Sequence, residues 1–145
     1  MFRVSRRLDY GLQLMIALAQ EAHDVPKATA LLSDKLHIPL PFLHQIGRSL
    51  IQGGLIKATP GPRGGLRLSQ SSASITLLQI IETLEGPVHI TPEPGGNGNG
   101  VASRAVWEEL QRLLVVQLGA ISLSSLAESA GLTAPLILQT AQSKN

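Results

Sequence analysis

The sequence predicts a mostly α-helical chain with one small β-hairpin, on three observations. Apolar residues recur at helical spacing over long stretches, beginning with Leu8, Leu12, Met15, Ile16 and Ala19. Prolines and glycines break that pattern at regular intervals, at Asp24-Val-Pro-Lys27, Leu36-His-Ile-Pro-Leu-Pro41 and Gly53-Gly54. Two short apolar runs, residues 55–58 and 66–68, flank the tight loop Thr59-Pro-Gly-Pro-Arg-Gly-Gly65.

The first stripe makes residues 8–19 an amphipathic helix with Arg3, Arg6 and Arg7 clustered at its start. Residues 28–36 form a second, short helix with Leu32 and Leu36 spaced for burial, ending at His37, a residue type that tolerates the left-handed region. The residue before a proline is steered away from the helical region, so Leu40 is expected to be non-helical and Pro41 to open a third helix over 41–52. Phe42, Leu43, Ile46 and Leu50 form its apolar face, and Gly53-Gly54 stops it by supplying positive φ. The loop after the first apolar run turns the chain back, giving the hairpin. Thr76-x-x-Gln79 is a capping box that opens a fourth helix carrying Leu77, Leu78, Ile80, Ile81 and Leu84, closed by Glu85-Gly86-Pro87.

Residues 86–102 are too rich in Pro and Gly for regular structure and read as a flexible loop. A long helix over about 103–121 follows, with a seam of Val106, Leu110, Leu113, Leu114, Gln117 and Ile121, and with Glu108 and Arg112 spaced as an i, i+4 pair. A long helix beyond a compact domain that keeps an apolar seam buries it against another copy of the chain, with Trp107 packing there. One short helix completes residues 103–130, and residues 131–145 are a tail without a readable pattern. Helix, helix, turn, helix, hairpin over residues 1–85 is the order of a winged helix-turn-helix.

Composition removes several functional classes. The chain has 145 residues and no cysteine, which excludes disulfides, thiolate metal sites and cysteine nucleophiles. No signal peptide is read near the start and no window reaches the roughly 18 apolar residues of a membrane span, so a cytoplasmic protein without membrane contact is expected. No nucleophile elbow, phosphate loop, His-Glu-x-x-His or paired carboxylates occur, so no catalytic residue is expected. The net charge of +2 hides an asymmetry: residues 1–74 hold nine basic groups and four acids, a net of +5, whereas residues 75–145 net −3. A polyanion partner for the first half is one reading, and ordinary solvated charge the other.

The run Ser5-x4-Tyr10-Gly-Leu, then Ile38-Pro-Leu-Pro-Phe-Leu-His-Gln45, Gly54-Leu-Ile, Gly61-Pro-x-Gly-Gly65, Ile75-Thr-Leu-Leu-x-Ile80 and Glu85-Gly86 resembles the IscR/NsrR/CymR type of bacterial transcription regulator, the Rrf-two family. It spans residues 3–130. The resemblance implies a homodimeric winged-helix protein that binds double-stranded DNA and whose long C-terminal helix crosses to the partner subunit. Iron-sulfur members hold their cluster with three cysteines in the loop before that helix; this chain has none there, so no cofactor and no metal site are expected. His89 and Glu93, four apart in that loop, read as surface residues.

In a helix-turn-helix the second helix of the pair enters the major groove, which makes Leu40, Pro41, His44, Gln45 and Arg48 the candidates for contact. Gln45 suits bidentate bonding to adenine, and Leu40 and Pro41 suit a thymine methyl. Arg63 at the hairpin tip suits the minor groove, with the loop glycines giving close access, while Arg3, Arg6, Arg7 and Arg67 serve phosphates. Where the resembled family commonly has an arginine before the Gly-Pro of the wing, this chain has Pro60, and its arginine comes three places later. Two hypotheses stay open: a dimeric regulator on an inverted-repeat operator, with room for a small-molecule or protein effector, and a winged-helix module docking an acidic protein.

Overall fold

The computed structural model describes residues 3–21, 25–92 and 101–130. Helix α1 (Arg6–Ala19) is capped by Ser5, whose hydroxyl accepts from the Leu8 amide. Helix α2 (Thr29–Leu36) ends at His37 with φ 55° and ψ 39°, the expected left-handed exit. The Ile38 amide reaches back to the Ser33 carbonyl at 3.1 Å and the Ile38 side chain is fully buried, which together fix the angle to the next helix.

Helix α3 (Leu40–Gln52) begins one residue earlier than the proline bias predicts. The Leu43 amide bonds the Pro39 carbonyl at 2.9 Å, closing a first turn that includes Leu40. That bond outweighs the local preference before proline, and Pro41 at the second position forfeits no hydrogen bond because first-turn amides have no intrahelical acceptor. Gly54, at φ 77°, turns the chain into strand β1 (Ile56–Thr59), which pairs antiparallel with β2 (Gly65–Leu68) in the register Ile56↔Leu68, Lys57↔Arg67, Ala58↔Leu66, Thr59↔Gly65.

A third arm joins the far edge of this hairpin. The amide and carbonyl of Lys27 exchange hydrogen bonds of 2.8 Å with those of Leu66, so the linker between α1 and α2 acts as a one-residue strand. The Lys27 ammonium also lies 3.1 Å from the Glu21 carboxylate, and that hydrogen bond holds the Glu21 carboxyl below its usual range.

After a single 3-10 turn (Ser72–Ser74), α4 (Leu77–Glu85) opens on the expected capping box, with both reciprocal Thr76–Gln79 bonds formed. The core lies where α1, α3, α4 and the hairpin meet. It is built from Leu14, Met15 and Leu18, from Leu43, Ile46 and Leu50, from Ile56 and Leu68, and from Ile80 and Leu84.

The long helix α5 (Val101–Ala120) is followed by α6 (Leu123–Ser129). Backbone bonds from Leu77 N to Ile121 O (2.9 Å) and from Leu123 N to Ile75 O (2.7 Å) stitch their junction to the start of α4. Leu123 is fully buried in the core cluster, so α6 belongs to the domain rather than to a separate C-terminal unit. Arg112 pairs with Glu109 at 2.6 Å, not with the expected Glu108, and holds the Glu109 carboxyl below its usual range. The i, i+3 neighbour offers both carboxylate oxygens to the guanidinium fork.

The stretch read as a flexible loop divides. Residues 93–100 lie outside the described residues, as does the tail 131–145, whereas Val101 and Ala102 are already helical. Between them and α4, Gln111 of α5 accepts from the Ile90 amide at 2.8 Å and donates to the Val88 carbonyl, a two-point clamp on an otherwise irregular segment.

Candidate nucleic-acid interface

Burying Leu43, Ile46, Gly47 and Leu50 fixes the rotation of α3, and that rotation decides what the helix offers outward. Pro41, His44, Gln45 and Arg48 fall on the opposite, exposed face at spacings of three and four residues, with Leu40 exposed at the helix start. The structure therefore brings together all five α3 residues expected to meet DNA. Beside them a cleft of about 280 Å³ separates α3 from the hairpin; Leu43, Gly47, Ile51, Ala58 and Leu66 line it, and Thr29, His44 and Arg48 stand among them. Gly47 faces the hairpin across this cleft, where a Cβ would meet Leu66 Cδ1 at an ordinary contact distance of 3.7 Å.

Arg63 occupies the third position of a four-residue turn closed by Gly64 N to Gly61 O at 2.9 Å, which makes it the outermost cation of the hairpin. Two of the loop glycines also carry a task inside the fold. Gly61 takes φ 102° in open space, but a Cβ on Gly64 would lie 1.9 Å from the Thr59 carbonyl oxygen, and one on Gly65, at φ 152°, 2.0 Å from that of Lys27. These last two let the hairpin close on itself and on its third arm.

Arg67 stands directly opposite Lys57, a residue the sequence alone did not single out. Like charges in facing positions destabilise a strand pair, and among the described residues neither cation has a carboxylate within ion-pair distance. The signal for Lys57 becomes readable only once the register is known, because 57 and 67 are equidistant from the turn. Arg3 and Arg6 are exposed at the start of α1. Arg7 is half-buried, and it donates from Nε to the Leu84 carbonyl at 3.1 Å and from its guanidinium to Ser49 Oγ.

On α5, Val106 (55% exposed), Leu110 (43%), Leu113 (48%) and Leu114 (37%) share one outward face, with Gln117 beside them. Trp107 is half-buried at the edge of that face. Ile121 does not join it: it follows the helix end and is 5% exposed, covered by the chain's own residues.

The donor set does not suit a thiolate-held cluster. The chain contains no cysteine, and among the described residues no three of His, Asp and Glu gather closely enough to hold a metal ion. His89 is exposed, while Glu93 falls outside the described residues. No helix among the described residues is long and apolar enough to cross a membrane.

Comparison with known proteins agrees with this geometry. The family described as Rrf2, iron-dependent transcriptional regulator, matches residues 4–129. The HTH-type transcriptional regulator IscR of Cereibacter sphaeroides is 32% identical over 121 residues, covering 79% of this chain and 78% of that protein. Among solved structures, CymR, the global cysteine regulator of B. subtilis, superposes with a TM-score of 0.78 at 29% identity, over 88% of this chain and 98% of its own. T. potens IscR superposes with a TM-score of 0.72 at 25% identity, over 94% and 96%.

Proposed function

Because this chain belongs to the Rrf2 family of transcriptional regulators, we propose that it acts as a homodimer on an inverted-repeat operator in cytoplasmic DNA, without a cysteine-ligated cluster. It is a DNA-binding regulator and not an enzyme. The observation that carries the finer reading is the coincidence of two surfaces on one chain: an α3 face of hydrogen-bonding and cationic side chains beside a basic hairpin, and an apolar face on α5 that the described residues leave uncovered. Two copies joined through α5 present two α3 helices to successive major grooves, about 34 Å apart along the duplex. Docking of an acidic protein instead is not favoured, since the relatives are named as transcriptional regulators.

In this reading Gln45 and His44 meet base edges, Leu40 and Pro41 meet thymine methyls, and Arg48, Arg63, Arg67, Lys57, Arg3 and Arg6 meet the backbone or minor groove. The family's iron dependence does not carry over through thiolates, which leaves room for a small-molecule or protein effector. Selection of bound sequences from random duplex DNA is expected to recover a two-fold symmetric motif. On that motif, Gln45→Ala should erase the preference at one base pair of each half-site, worth about 1–3 kcal/mol. Lys57→Ala should instead weaken all duplexes alike and lower the salt slope of log K by about 0.9 per protomer, about 1.8 for the dimer. Gel-shift titrations at several salt concentrations separate the two; a Gln45 variant with unaltered sequence preference would contradict the assignment.

A further inference from the structure

We propose, on the basis of the DNA-binding reading above, that Arg7 is a positioning residue: it fixes α3 against α1 and α4 and so sets which base edges Gln45 reaches, without touching the phosphate backbone itself. The three helices meet at one junction. Gly11, one turn along α1 from Arg7 and on the same face, lets α4 come so close that a Cβ there would stand 2.3 Å from Leu84 Cδ1 and 3.5 Å from Ile46 Cγ2. Arg7 ties together the same two partner helices one turn away. Its Nε–H donates to the Leu84 carbonyl at 3.1 Å, in the last turn of α4, where carbonyls lack intrahelical donors and carry the negative end of the helix dipole. A guanidinium N–H donates to Ser49 Oγ at 2.5 Å, and the Ser49 hydroxyl passes its own hydrogen to the Gln45 carbonyl at 3.3 Å.

Ser49 and Gln45 are one turn apart on α3, so a bond that fixes Ser49 fixes the rotation of the turn that carries Gln45. The guanidinium suits this task because its donors form a rigid planar fork that spans two acceptors on two helices. Lysine keeps the charge and lacks the fork. A phosphate contact and a positioning role thus separate in the Arg7→Lys variant, which preserves the first and removes the second.

The experiment compares dissociation constants for the selected motif and for a scrambled duplex of the same composition, across salt concentrations, for the wild type, Arg7→Lys and Ser49→Ala. Arg7→Lys should lower the preference for the motif about tenfold, with the salt slope and the scrambled-duplex affinity unchanged. Ser49→Ala should shift the preference in the same direction, and the double variant should be no worse than Arg7→Lys alone, because both act through one network. Should Arg7→Ala fail to fold, these two variants still carry the test. The inference is overturned if Arg7→Lys keeps the full preference, including the case where it only lowers the melting temperature. It is equally overturned if Arg7→Ala weakens both duplexes alike with a salt slope reduced by about 1.8, the mark of one phosphate contact per protomer. A wild-type chain that does not distinguish the two duplexes would instead overturn the DNA-binding reading on which this one rests.

Discussion

Leu113→Glu is expected to convert the proposed homodimer to monomers and to abolish tight operator binding while leaving the fold of each chain intact. Leu113 is 48% exposed in the single chain and lies beside Leu110, Leu114 and Val106, so a charge there costs an isolated protomer little. In a two-fold interface the substitution counts twice. Each copy forfeits about 0.7–1.5 kcal/mol of apolar burial, half the full value because Leu113 is already half covered, and adds a desolvated carboxylate costing several kcal/mol more, which together raise the dimer dissociation constant by about 1,000-fold or more. Sedimentation velocity at micromolar concentration, with circular dichroism as the check on folding, reads the result. A Leu113→Glu chain that sediments as a dimer would place the contact on another surface.

The second large effect is expected at Gly65→Ala. The substitution puts a methyl group 2.0 Å from the Lys27 carbonyl oxygen at a φ of 152°, where L-residues are strained. Relief requires parting β2 from the Lys27 arm, losing both backbone bonds between Lys27 and Leu66. Two hydrogen bonds and the backbone strain amount to about 2–4 kcal/mol. The Leu66 amide should lose its protection from hydrogen exchange, and DNA affinity should fall because the cleft between α3 and the hairpin loses its wall at Leu66. Gly61→Ala is the matched control. Its φ of 102° is also left-handed, but a Cβ there meets nothing within 4 Å, so it costs only about 1 kcal/mol of backbone strain.

Much of the architecture was legible because its signals are local. The 3.6-residue spacing of Leu8, Leu12, Met15 and Ala19, the Thr76/Gln79 capping box and the left-handed His37 each declare themselves within one or two turns of chain. The exposed face of α3 followed in the same way, since burying Leu43, Ile46 and Leu50 leaves Gln45 and Arg48 no other side. What was hidden depends on partners distant in sequence. The bond pair from Lys27 to Leu66 spans 39 positions and involves a single residue on one side, which leaves no periodicity to read. Arg7 looks like its neighbour Arg6 until Leu84 and Ser49 are brought beside it, and only then does its pair of hydrogen bonds set it apart. The role of Gly64 and Gly65 was legible as a turn but not as a close approach, because the carbonyl each one clears belongs to a strand whose register the sequence leaves open. Ile121 shows the same limit: the seam continues through it in sequence, but the helix ends at Ala120 and the side chain turns inward.

Two copies of this chain are proposed to bind one DNA site without a bound metal ion. This is tested most directly by measuring the mass of the complex on the selected duplex in sedimentation experiments, at about 0.15 M salt, with and without a strong metal chelator. Two chains per duplex, with the same affinity in both conditions, is the predicted result. One chain per duplex, or binding that disappears when the chelator is added, would contradict it.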